Sequence, residues 1–126
     1  MPRTFAQFKL TLHIPRRPYV EALPGIPTIR PIEALACGMP LVCSLWNDVE
    51  HLFQTGSDFL IASDGEQMKR HLAALLRNPE RRYSLGQSGL ATIRARHTCA
   101  HRVDELLEIV RQVLREREPA PSRRRP

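Results

Sequence analysis

"PGIPTIRPIEALACGMPLVCS", residues 24–44, carries the signals that decide the fold. Two prolines and a glycine open it as a loop, and the residues before Pro24 and Pro27 are pushed toward extended geometry. A short helix is then expected from about Ile29 to Cys37. Thr28 is placed as its N-cap, with a hydroxyl able to accept an orphan backbone N–H. Pro31 falls in the first turn, where a missing N–H costs nothing. Gly38 is placed as the left-handed residue after the helix, and Pro40 prevents continuation. "PLVCS", residues 40–44, then reads as a short buried strand.

Upstream, "FKLTLHI", residues 8–14, alternates Phe8, Leu10, Leu12 and Ile14 with other residues, a strand pattern. Strand, helix and strand in that order define an α/β domain with a parallel sheet. Residues 15–28 hold four prolines and read as an ordered loop. Downstream, Asn47 or Asp48 is expected to cap a short helix carrying Val49, Leu52 and Phe53 and ending at Gly56. "DFLIAS", residues 58–63, is the next strand. Asp64 with Gln67 three residues on forms a capping box. The helix that follows spaces Met68, Leu72, Leu75 and Leu76 as a core-facing stripe. Asn78 and Pro79 start another helix, with Tyr83, Leu90 and Ile93 on its buried side and Gly86 and Gly89 weakening it. Thr98 caps the last helix, where Val103, Leu106, Leu107, Val110, Val113 and Leu114 form one apolar stripe. Residues 119–126, "PAPSRRRP", read as a disordered basic tail. Residues 1–118 form the folded part.

The 126 residues suit one domain and carry a net charge of +6. Arg123, Arg124 and Arg125 supply half of it, so the body is only about +3. Such a body suits small anionic ligands at least as well as nucleic acid. The few aromatics and the lack of any zinc-finger or RNA-recognition spacing argue against nucleic acid as a partner. Cys37, Cys43 and Cys99 form no CxxC pair, which points to free thiols, with Cys37 and Cys43 packed as small hydrophobes. No leader peptide and no membrane-length apolar run is visible, so a soluble cytoplasmic protein is expected.

Physics alone offers a site where the loop meets the helix. N–H groups and the positive dipole end favour an anion such as phosphate there. Gly25 leaves room for a ligand against the backbone. Arg30 in the first turn has the fork that suits phosphate. Glu33, one turn on, is an acceptor for sugar hydroxyls. The bland alternative is a solvated Glu33 paired with Arg30.

"PTIRPIEALACGMP", "WNDVEHLFQTGSDFL" and "LLRNPERRYSLGQSGLATIRARHTCAHR" occur in that order. This ordered set resembles the nucleotide-sugar-binding segment of GT-B glycosyltransferases, and specifically their CgeB-like, spore-maturation-protein-type branch, over roughly residues 8–114. The resemblance implies an incomplete Rossmann-like parallel sheet, the later part of a donor-binding domain, followed by C-terminal helices. It implies a nucleoside-diphosphate sugar as donor substrate, with no separate cofactor, and an acceptor of unknown nature. By that resemblance Glu33 binds the ribose. Thr28, Ile29 and Arg30 face the diphosphate, two of them through backbone N–H groups. Arg16 or Arg17 adds charge compensation, or is a solvated loop arginine. Many relatives carry a second acid eight residues before the helix acid. Here that position is Gly25, so the sugar contact falls to backbone or other groups.

No Asp-x-Asp pair is present, so no tightly held metal is expected, and no catalytic base can be named. His97 and His101 stand four apart but lack a third ligand, which favours helix capping or interhelix hydrogen bonding. Trp46 reads as a packing anchor. The competing functional reading is an inactive or orphan α/β interaction module. It would self-associate or bind a partner through helix 99–117.

Overall fold

The computed structural model describes residues 2–22, 25 and 28–117. The elements run α1 (Pro2–Phe5), β1 (Thr11–His13), α2 (Arg17–Ala22), α3 (Ile29–Ala36), β2 (Leu41–Ser44), β3 (Leu60–Ala62), α4 (Gly65–Arg77), α5 (Pro79–Arg96) and α6 (Cys99–Arg117). The expectations for Pro24, Pro27 and the tail 119–126 lie outside the described residues.

The three strands form one parallel sheet in the order β1-β2-β3, with Leu12 beside Val42 and Cys43 beside Ile61. The central strand β2 is buried on both faces, as a covered parallel sheet requires. Leu41 and Cys43 join Leu35, Phe53, Phe59 and Ile93 in one core. Val42 joins Leu60, Ala62, Met68, Leu75 and Leu85 in the other. This is the expected α/β architecture, a Rossmann-like half-domain followed by C-terminal helices.

The βαβ connection is built as its sequence dictates. Gly38 takes φ +67°, its N–H donates to the Leu35 carbonyl at 2.9 Å, and the Met39 N–H donates to the Ala34 carbonyl at 3.0 Å. These two bonds close a Schellman turn that ends α3 and aims the chain into β2. The Asp64 carboxylate accepts from the Gln67 N–H at 2.7 Å, and the Gln67 side chain returns to the Ser63 N–H. Asn78 caps α5 by accepting from the Arg81 N–H at 2.9 Å.

Several local expectations are corrected. The stretch 15–28 contains helix α2, with Arg17 and Glu21 paired one turn apart at 3.7 Å. Strand β1 is shorter than 8–14 and lies at the edge of the described sheet. Its Leu12 is 40% exposed, and Ile14 just past the strand 68%, because β1 is the edge strand and α4 packs on its neighbours β2 and β3. Residues 48–56 form no helix. Asp48 does receive the Phe53 N–H at 2.9 Å. However, His51 sits at φ 50°, and α5 takes up two carbonyls of the segment. Arg96 Nη1 donates to His51 at 2.7 Å, and His97 Nε2 lies 2.8 Å from the Leu52 oxygen.

On α5, Tyr83 is exposed, and the buried face is Leu85, Gly86, Gly89 and Ile93. The two glycines are therefore contact points. A methyl on Gly86 would collide with the Gly38 carbonyl oxygen, and one on Gly89 would come within 2.6 Å of Leu35 Cδ2 and 2.9 Å of the Asp58 carbonyl oxygen. Cys37 is exposed, whereas Cys43 is buried as expected.

Candidate functional site

Because the strands are parallel, His13, Ser44 and Ala62 all lie at one edge, the end where α/β sheets present ligand sites. Helix α3 starts at the same edge. Thr28 occupies the N-cap position with extended backbone, but its hydroxyl makes no cap bond. The expected capping by Thr28 is thus replaced by a longer reach: Thr28 Oγ1 lies 3.1 Å from His13 Nε2 at the end of β1. The first turn of α3 consequently keeps its N–H groups free of a side-chain cap.

Arg30 stands on that first turn, and Glu33 follows three residues later, just beyond it. Arg30 Nε and Glu33 Oε2 are 3.6 Å apart, with half of the Arg30 side chain and about a third of the Glu33 side chain exposed. An exposed pair of this kind contributes little to stability and leaves both groups open to solvent. Burial first, and then the Arg30 charge, hold the His13 imidazole below its ordinary value of 6.5. His13 therefore favours the neutral form beside Thr28. Sequence reasoning passed over His13. Its only signal was a polar residue at the C-terminal end of the first strand.

The remaining expected site residues lie differently. Ile29 is 71% exposed at the tip of α3. Gly25 is buried, at φ +85°, and a side chain there would meet Val49 Cγ2 at 2.8 Å and the Asn47 carbonyl oxygen at 3.0 Å. Its lack of a side chain thus lets Gly25 itself sit against residues 47–49. Arg16 and Arg17 are exposed at the start of α2, with Arg17 engaged by Glu21. The structure joins Thr28, Arg30 and Glu33 with His13, while Arg16 and Arg17 face solvent at the start of α2.

Beneath this edge, Trp46 packs on Phe59 at 5.7 Å and Phe53 at 6.0 Å, the anchoring role expected of it. The buried Asp58 carboxylate receives the Ser88 hydroxyl at 2.8 Å and the Gln54 N–H at 2.9 Å, which tie α5 to the turn before β3. His101 and Thr98 cap α6 together. Thr98 Oγ1 lies 2.7 Å from His101 Nδ1, and the Thr98 N–H donates to the same nitrogen at 3.3 Å. Among the described residues, no three His, Cys, Asp or Glu side chains gather where a metal ion could be held. A cleft of about 440 Å³ opens at the opposite edge of the sheet, lined by Phe8, Lys9, Pro40, Arg82 and Tyr83 among others, and includes none of the residues above.

A parallel sheet with helices over its faces, and polar groups gathered where a helix begins at the strand ends, is the layout of an α/β ligand-binding domain. The family model described as glycosyl transferase-like matches residues 1–108, and the chain belongs to that family. A comparison with curated proteins found no match. Among the described residues, no helix is long and apolar enough to cross a membrane.

Proposed function

We propose that this chain binds the donor of a glycosyl transfer, a nucleoside-diphosphate sugar, as the donor half of a GT-B enzyme of the CgeB-like type. The carrying observation is the N-terminal half of α3. It begins at the C-terminal edge of a parallel sheet, lacks a side-chain cap, and holds Arg30 and Glu33 within 3.6 Å of each other. The cap-free N–H groups of Ile29 and Arg30 and the dipole end suit the diphosphate. The Arg30 guanidinium adds a charged fork, and Thr28 stands beside it. Glu33 accepts hydrogen bonds from the ribose hydroxyls, and Arg30 then transfers its pairing from Glu33 to the phosphate.

In a glycosyl transfer the nucleoside diphosphate leaves with growing negative charge, and fixed positive groups favour that departure. Arg30 meets this need at the site. Arg16 and Arg17 are reserve charges on the neighbouring turn. Because Gly25 is filled in by Val49 and Asn47, it supports the loop, and the sugar is met by groups further along the edge.

Calorimetric titration with UDP, GDP and their sugar forms tests the reading. Saturable binding is expected. Removing the Glu33 carboxylate with Glu33→Ala should weaken it roughly ten- to a hundredfold, the worth of hydrogen bonds to a charged group. Glu50→Ala should leave it unchanged. Equal loss in both variants, or no binding by a folded chain, would refute the assignment.

A further inference from the structure

Helix α6 has no buried residue. Val103, Leu106, Leu107, Ile109, Val110, Val113 and Leu114 are each between 42% and 59% exposed. A continuous apolar patch of this length marks an interaction surface. The charges beside it are unevenly divided along the helix. Asp104, Glu105 and Glu108 outnumber Arg102 in the first half, and Arg111, Arg115 and Arg117 outnumber Glu116 in the second.

We infer that α6 pairs antiparallel with α6 of a second copy of this chain, forming a twofold dimer centred near Glu108. Val103 and Val110 repeat seven residues apart, as do Leu106 and Val113, which gives the two core positions of a heptad. In the antiparallel register, Val103 packs against Val113 of the second copy and Leu106 against its Val110. Leu107 and Ile109 each meet their own equivalents across the twofold axis. Arg102 lies opposite Glu116 of the second copy, so the flanking charges match at both ends. Glu108 stays on the outer face, held by Arg111 at 3.4 Å and Arg115 at 2.9 Å within its own chain.

A parallel pair would instead lay acidic half on acidic half. It would also set Arg117 against Arg117 at a core position and Arg102 against Leu107. Charge complementarity therefore selects a second copy in the antiparallel sense. This inference does not depend on nucleotide binding.

Sedimentation of the full chain tests it. The expected mass is twice the 14.4 kDa of one chain. Val110→Glu should return the monomer. Arg102→Glu should weaken association roughly tenfold, since two ion pairs per dimer become like-charge contacts. Adding Glu116→Arg to that variant should restore it. In a Cys37→Ser background, mild oxidation should not link the chains through Cys99, because the antiparallel pair keeps those residues about 27 Å apart along the helix. A monomer, a dimer indifferent to Val110→Glu, failure of the double variant to recover, or ready Cys99 cross-linking would each overturn the proposal.

Discussion

Replacing Gly86 with alanine tests how α3, and with it Arg30 and Glu33, is seated. By helix propensity alone the change should stabilise α5 by about 1 kcal/mol. The structure opposes this gain. The added methyl would run into the Gly38 carbonyl oxygen. That oxygen belongs to the left-handed turn fixed by the Gly38-to-Leu35 and Met39-to-Ala34 bonds, and Pro40 Cδ stands 3.5 Å from the same methyl position. No flexible side chain is there to yield, so α5 must move off the α3–β2 turn. Overpacking of this kind costs about 1–3 kcal/mol and occasionally more. A backbone obstacle belongs at the upper end of that range. The net expectation is a loss of about 1–2 kcal/mol, read as a urea midpoint lowered by roughly 0.5–1 M. Gly65→Ala is the control: a methyl there meets nothing within 4 Å, so its midpoint should hold or rise slightly. If Gly86→Ala is as stable as the native chain or more so, α5 is not seated on the Gly38 turn as described.

Two further expectations concern titrating groups. Burial pushes the Cys43 thiol up to about 12, so in the native chain an alkylating reagent should modify the exposed Cys37 and Cys99 and spare Cys43 until the chain unfolds. Mass spectrometry of the labelled peptides reads this directly, and prompt labelling of Cys43 would show that β2 is not buried. The folded chain holds His13 below its ordinary 6.5, so the unfolded chain takes up that proton at higher pH. The contribution of neutral His13 to stability is complete above 6.5 and is lost progressively as the pH falls below it, until the folded-state value is passed. Urea midpoints measured at about pH 7.5 and pH 5.5 should therefore fall further for the native chain than for His13→Gln. Parallel behaviour of the two would contradict the proposed burial of His13.

The parts of the fold legible in the sequence are those written in local chemistry. Pro31, Gly38 and Pro40 bracket α3 within a dozen residues, and the Asp64–Gln67 and Asn78–Pro79 signals start α4 and α5 where the structure has them. Residues 48–56 show the opposite case. Their capping residue and apolar spacing suggest a helix, but the carbonyls of His51 and Leu52 are taken up by Arg96 and His97, 45 residues away in each case. No local pattern announces such partners. Tyr83 on α5 differs from expectation for a related reason, whereas the start of α5 and the burial of Ile93 do not. The contact face of the helix is made by absent side chains, Gly86 and Gly89, so a pattern based on large apolar residues turned Tyr83 inward.

The site divides in the same way. Arg30 and Glu33 one turn apart, at the start of a helix, were readable, and so was their mutual ion pair. The diversion of Thr28 from its cap to His13 was not, because it joins residues 15 apart through the return of the chain across the sheet edge. The burial of Gly25 against Asn47 and Val49 likewise joins residues more than 20 apart in the chain.

The most direct test of the central claim is amide chemical-shift mapping of the labelled chain during titration with UDP and GDP. One of them is expected to shift the amides of Ile29, Arg30 and Glu33, together with His13, while residues 103–114 hold their positions. Shifts centred instead on the opposite cleft, at Lys9, Arg82 and Tyr83, would contradict it and place nucleotide binding at the wrong edge of the sheet.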